Sequence, residues 1–166
     1  MTTVARQPPI RYIDRTRAQY SALGHGIYHW AHNPDPPPWV EVTKPISESR
    51  LGLVATGGIY AIGQTAFTHR DDTTYRAIAA DTASDDLRVT HFAYDLTDAR
   101  RDINVVFPID TLRSLEAESR IGSLADTFYT CMGGIYSQRR VNDELAPALL
   151  ERCRADEVDL VLLVPV

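Results

Sequence analysis

Arg50-Leu51-Gly52-Leu53-Val54-Ala55-Thr56-Gly57-Gly58 is the stretch that decides the fold. The apolar run is too short for an isolated helix and passes straight into two glycines. A short, continuous apolar run bounded by a turn signal predicts a buried parallel strand ending in a tight turn. Working toward the C-terminus, residues 60–75 are polar and mixed and predict a long loop. Residues 75–79 predict a short strand, and 87–94 alternate as a strand or an extended loop. Residues 103–107 form a short β-branched run. Asp110 follows Pro108 and can cap a helix over 110–119, with Leu112, Leu115 and Ile121 on its apolar side. Residues 126–132 predict a strand entering Gly133-Gly134. A helix over 141–156 places Leu145, Leu149 and Cys153 at i, i+4, i+8, with Pro147 kinking it or marking its first turn. The run 159–166 is almost wholly apolar and β-rich, as in a central strand.

Strands alternating with helices predict an α/β fold. The form expected is a three-layer parallel sheet, Rossmann-like or flavodoxin-like, with helices on both faces. Ligands of such sheets bind at the carboxyl ends of the strands. Three such ends are marked: Gly57-Gly58, Gly133-Gly134 and residues 162–166. Upstream, residues 1–45 read as a helical and Pro-rich arm, and 46–166 as the α/β domain. Within the arm a helix is expected between Tyr12 and Trp30, weakened by Gly24 and Gly26. Asn33-Pro34-Asp35-Pro36-Pro37-Pro38-Trp39 enforces an extended path. Trp30 and Trp39 are the arm's expected contacts with the main domain or a partner.

The 166 residues carry 44% hydrophobic and 23% charged side chains and a net charge of −5. That balance argues against general binding to nucleic acid or to an anionic membrane, since both need a basic face. No run approaches the roughly 20 apolar residues of a membrane span, and the N-terminus has no apolar core of signal-peptide length. A reduced, cytoplasmic setting suits two cysteines, Cys131 and Cys153, with no metal-ligand spacing. Lys44 is the only lysine, so Schiff-base chemistry would have to use it.

The densest polar segment is Thr90-His91-Phe92-Ala93-Tyr94-Asp95-Leu96-Thr97-Asp98-Ala99-Arg100-Arg101-Asp102-Ile103-Asn104. Arg100 or Arg101 can hold a substrate carboxylate through paired hydrogen bonds, with Tyr94 and Asn104 as further polar contacts. His91 with Asp95 or Asp102 can supply acid/base help. The same composition also fits a surface loop of solvated Asp–Arg pairs. Gly57-Gly58 and Gly133-Gly134 can each present backbone N–H groups to an anion or serve only as tight turns. Cys131, at a strand end, is a candidate nucleophile or a structural thiol. His25, His29 and His32 share a face if their segment is helical, a spacing zinc can use, but the glycines and prolines around them oppose a rigid helix. No nucleotide-binding or nucleophile-elbow motif is present, and no bound metal or cofactor is expected.

Several segments together resemble the family of glycine/sarcosine/betaine reductase selenoprotein B and D-proline reductase. They are residues 33–39, Lys44-Pro45-Ile46-Ser47-Glu48-Ser49-Arg50, Thr56-Gly57-Gly58, residues 91–110, Ile121-Gly122-Ser123-Leu124, and Ala155-Asp156-Glu157-Val158-Asp159 with the last strand. The resemblance implies a multi-subunit enzyme that reductively cleaves a C–N bond in a small amino acid or amine. A thiol or selenol performs that chemistry and a dithiol supplies the electrons. It makes the segment around His91 the best candidate site. In the family the last strand runs directly into a segment carrying cysteine or selenocysteine, whereas Leu162-Leu163-Val164-Pro165-Val166 closes this sequence. The expectation is therefore a reductase-like subunit whose redox residue comes from a partner chain. The alternatives are removal of a following segment, a non-catalytic binding or assembly subunit, and a diverged non-redox lyase or racemase-like enzyme.

Overall fold

The computed structural model describes residues 10–27 and 31–166. The chain divides into two compact units, 1–39 and 40–166. In the first, helix α1 (Tyr12–Ala22) ends where Gly24 turns with φ +78°, a left-handed value that glycine takes without strain. Residues 31–45 hold neither helix nor strand, in keeping with the proline run. Trp39 is exposed, and Trp30 lies outside the described residues.

The second unit is built on a mostly parallel sheet. Strand β1 (Arg50–Ala55) is its centre. On one side it pairs in parallel with β5 (Ser123–Leu124) at Arg50↔Ser123 and with β6 (Thr127–Cys131) at Val54↔Tyr129. On the other side it pairs in parallel with β7 (Leu160–Val164), from Leu51↔Leu160 to Ala55↔Val164. Strand β3 (Tyr75–Ala79) adds to β6 and runs antiparallel, so the sheet is mixed where an all-parallel one was expected. A separate antiparallel ribbon joins β2 (Ile59–Ala61) and β4 (Leu87–Val89).

Side chains of β1 alternate between two apolar clusters, as a strand's period of two requires. Leu53 and Ala55 join Phe128, Ile78 and Phe107, together with Ile109 and Leu112 of α3 (Ile109–Ala117). Val54 joins Tyr129 and Cys153, the latter on α5 (Ala146–Ala155). Phe107 and Phe128 are fully buried and meet edge to face at 6.2 Å. Short helix α2 (Thr97–Arg101) contributes buried Ala99 to the first cluster. The turn α4 (Gln138–Arg140) and a π-helical turn (Val141–Leu145) lead into α5. Pro147 explains the widening: without an N–H it cannot bond the carbonyl of Asp143, and its ring needs room there.

One expectation is corrected and two open readings are resolved. Strand β7 is not central. Among the described residues it pairs only with β1, and Val161, Leu162 and Leu163 are 38%, 36% and 67% exposed. Its apolar composition reports the character of the strand, not how many neighbours it has. The strand over 87–94 is only three residues long, because past Val89 the chain is drawn to the Gly58 turn through Thr90 N–H to the Gly58 carbonyl, 3.0 Å. The β-branched run at 103–107 is a 3₁₀ turn (Ile103–Val105), since Asp102 accepts from Asn104 N–H at 2.9 Å and curls the chain. Its Ile103, Val106 and Phe107 are core residues without being a strand.

Candidate functional site

The carboxyl ends of β1, β6 and β7 converge. Thr56 N–H donates to the Val164 carbonyl (3.0 Å), and Val166 N–H donates to Thr56 Oγ1 (2.9 Å). Gly58 N–H donates to the Cys131 carbonyl (3.0 Å), and buried Thr130 accepts Ile59 N–H through Oγ1 (3.1 Å). These bonds fix the turn at Gly57-Gly58 against the end of β6. Gly58 has φ +70°, and a Cβ there would lie 1.9 Å from the Thr90 carbonyl oxygen. The close approach of these two backbones delivers His91 to the strand ends.

His91 is 4% exposed. Ala93 N–H points at its Nδ1 (3.0 Å) and Gly133 N–H at its Nε2 (3.2 Å), and the tautomer decides which of the two the ring accepts. A neutral imidazole has one acceptor nitrogen and an imidazolium has none. Protonation therefore sets a ring N–H against a backbone N–H at both nitrogens. Burial, and secondly the nearby His69, hold this imidazole below its ordinary pKa. Phe92 stacks on the ring at 5.5 Å and Tyr94 lies at 4.8 Å. The Tyr94 hydroxyl donates to the Gly57 carbonyl (2.9 Å), and burial pushes its pKa up. His91, Tyr94, Gly57 and Gly58 thus form one cluster.

Cys131 reaches the same region by its backbone but not by its thiol. The side chain is buried, with Sγ 3.8 Å from the Ala55 carbonyl, and burial pushes its pKa up to about 11. Nucleophilic attack needs the thiolate. Two pH units of elevation reduce the thiolate fraction by roughly a hundredfold. Iodoacetamide at neutral pH is expected to label Cys131 of the folded chain at least that much more slowly than of the urea-unfolded chain. Comparable rates, read by peptide mass spectrometry, would contradict this burial.

Arg100, Arg101, Asp102 and Asn104 lie around a groove of about 510 Å³ that Tyr60 and Arg88 also line, whereas Asp95 is not part of its lining. Arg100 is exposed and makes no salt bridge among the described residues. Arg101 faces Asp98 at 3.8 Å with both side chains 78% exposed, a solvated pair of little energetic weight. Asn104 is already engaged: its Nδ2 donates to Asp102 (3.0 Å) and Asp110 (2.9 Å), and its Oδ1 accepts Asp110 N–H (2.9 Å). Asp95 accepts both Thr97 N–H (2.9 Å) and Thr97 Oγ1–H (2.7 Å), which hold its carboxyl below the usual range. Neither Asp95 nor Asp102 is hydrogen-bonded to His91, whose bonds go to backbone. Phe92, Thr130 and Arg88 were not singled out from sequence. Gly133-Gly134 signalled a turn, but nothing in the residue order tells which side chain that turn meets.

The remaining motif residues stand apart. Lys44 is paired with Asp159 at 2.7 Å, at the amino ends of β1 and β7 and thus at the opposite edge of the sheet. His29 lies outside the described residues, and among the described residues no group of three His, Cys, Asp or Glu is placed to hold a metal. No helix among them is long and apolar enough to cross a membrane.

A mostly parallel sheet whose glycine turns and one buried imidazole meet at the strands' carboxyl ends defines an α/β domain with its polar constellation where such sheets bind small ligands. Within that class the chain belongs to the glycine/sarcosine/betaine reductase selenoprotein B (GRDB) family, whose pattern matches residues 35–166. It is 34% identical over 128 residues to D-proline reductase subunit gamma of Acetoanaerobium sticklandii, covering 77% of this chain and 53% of that one. It is 30% identical over 125 residues to glycine reductase complex component B subunit gamma of Carboxydothermus hydrogenoformans, covering 72% and 28%. It is 29% identical over 102 residues to betaine reductase complex component B subunit beta of Peptoclostridium acidaminophilum, covering 57% and 23%. The chain thus spans about half the length of the first relative and under a third of the others. No solved structure matches it.

Proposed function

We propose that this chain is the substrate-side subunit of a reductase complex acting on a small amino-acid-like or amine substrate, with the thiol or selenol supplied by a partner chain. The observation that carries the proposal is the convergence of three strand ends on a buried, neutral imidazole in a member of this family. In the overall reaction the substrate C–N bond breaks and its carbon and nitrogen each gain hydrogen. A dithiol gives up two electrons and becomes a disulfide. His91, held neutral, would orient the Gly133 turn that faces the substrate rather than take up a proton, since protonation sets ring N–H groups against the Ala93 and Gly133 amides. Cys131 is a poor candidate for the attacking group, because its thiol is buried and protonated.

The finer fold reading, three layers in a Rossmann-like or flavodoxin-like order, is supported by the division of β1 side chains between the α3 and α5 clusters. A partner is supported by the exposed apolar residues of β7, since an apolar strand edge in water invites pairing. The names of the relatives, all subunits of reductases or of their complexes, favour the same reading.

Arg100 is proposed as the main carboxylate anchor, with Arg101 assisting after release from Asp98. Arg100→Ala in the assembled complex is expected to raise KM about tenfold or more, the loss of one charge-assisted pair, with the fold unchanged. Arg101→Ala should have the smaller effect. Unchanged kinetics in the double variant would remove the groove from the proposal.

A further inference from the structure

We infer that Phe92 is a positioning residue for this site: seated in the space left by the missing side chain of Gly134, its ring covers the His91 imidazole and keeps it a hydrogen-bond acceptor rather than a cation. The functional meaning rests on the role given to His91 above, whereas the shielding itself rests on geometry alone.

Phe92 lies nearly parallel to the imidazole, 9° between planes and 5.5 Å between centroids. It is 41% exposed while His91 is 4% exposed, so the phenyl ring is the outer layer and the imidazole the inner one. Its seat depends on Gly134. A Cβ at that position would come within 2.2 Å of Phe92 Cζ and 2.7 Å of Cε1. Phe92 also meets His69 at 5.8 Å, and His69 Nε2 is anchored at 3.1 Å from Thr90 Oγ1. The two glycines of the Gly133-Gly134 turn therefore serve the imidazole in different ways. Gly133 points its N–H at His91, and Gly134 makes room for the ring that covers it.

The ionisable side chains facing the imidazole are His69, from the loop before β3, and Tyr94. No carboxylate is hydrogen-bonded to it among the described residues. A cationic His91 has no anionic partner, meets two backbone N–H donors, and is kept from water by Phe92. Removing the ring lets water solvate the cation. That works against the burial that holds the imidazole below its ordinary range.

The test is an NMR pH titration of the His91 ring signals in the full chain. Phe92→Ala is expected to raise the His91 midpoint by about one pH unit. Gly134→Ala, which displaces the ring without touching either imidazole nitrogen, should raise it in the same direction. Phe92→Leu, which restores an apolar cover, should bring it back down. A midpoint in Phe92→Ala equal to that of the parent overturns the inference. Should Phe92→Ala fail to fold, an unmoved midpoint in Gly134→Ala overturns it instead. The two readings separate cleanly. If His91→Asn leaves turnover intact while Phe92→Ala still moves the midpoint, the shield stands and the proposed role of His91 in the reaction falls.

Discussion

Gly58→Ala is expected to cost the α/β unit about 3 kcal/mol or more, lowering its melting temperature by roughly 10 °C or preventing folding. Two independent penalties add at this position. A non-glycine residue at φ +70° is strained, and the added Cβ would sit 1.9 Å from the Thr90 carbonyl oxygen. That oxygen belongs to backbone, so no rotamer change relieves the clash. Thr90 N–H is itself bonded to the Gly58 carbonyl at 3.0 Å, which ties the two segments at the contact point. Separating them would also pull His91 away from Gly133. The check is a thermal melt by circular dichroism. Gly63→Ala is the matched control, because that glycine also has positive φ, +91°, but open space around it. Its smaller loss isolates backbone strain from collision. Equal losses in the two variants would mean that the Thr90 contact contributes nothing.

His91→Asn is expected to lower turnover of the assembled complex by about a hundredfold, the scale on which a site displaced by about an ångström loses rate. Asparagine keeps one short acceptor for a neighbouring N–H, so the fold should persist where alanine would leave neither the Ala93 nor the Gly133 amide an acceptor there. The pH dependence follows from the direction of the shift. A folded-state pKa below the ordinary value means that the acceptor form persists as the solution turns mildly acidic. Activity that depends on neutral His91 should therefore survive below the ordinary imidazole range. Stability has the same sign: it is complete above the unfolded-state pKa and is lost as pH falls toward the folded-state value. Stopped assays and urea titrations between pH 5 and 8 should show both trends in the parent and neither in His91→Asn.

Much of the architecture was legible because local physics dominated there. The apolar run 50–55 had no home except a buried strand, and the glycine pair after it had to be a turn. Helices over 109–117 and 146–155 announced themselves through apolar spacing and their prolines. Less legible was everything set by pairing partners. Residue order does not tell that β3 runs antiparallel to β6, or that β7 has one neighbour among the described residues. The same division holds for the site. Gly57 and Gly58 came from strand-end logic, His91 and Tyr94 from a polar segment that the family resemblance raised above a surface loop, and the four do meet. The expected carboxylate partner of His91 was inferred from proximity in sequence. Asp95 and Asp102 instead satisfy their own turns, a local competition that short acidic side chains often win. Cys131 was read from its position at a strand end, but sequence does not report burial, and burial decides its reactivity. Phe92 lies within the quoted segment yet carries no sequence signal of its own, because its role depends on a glycine 42 residues away.

Partnership is the central claim. The direct measurement is to isolate the chain under native conditions, determine the masses of the polypeptides bound to it, and assay dithiol-driven release of amine from small amino-acid and amine substrates. The expected result is a second polypeptide bearing an alkylatable thiol or selenol, with amine release by the assembly and none by the isolated chain. Amine release by the isolated chain, or an assembly with a reactive partner that cleaves no C–N bond, would contradict it.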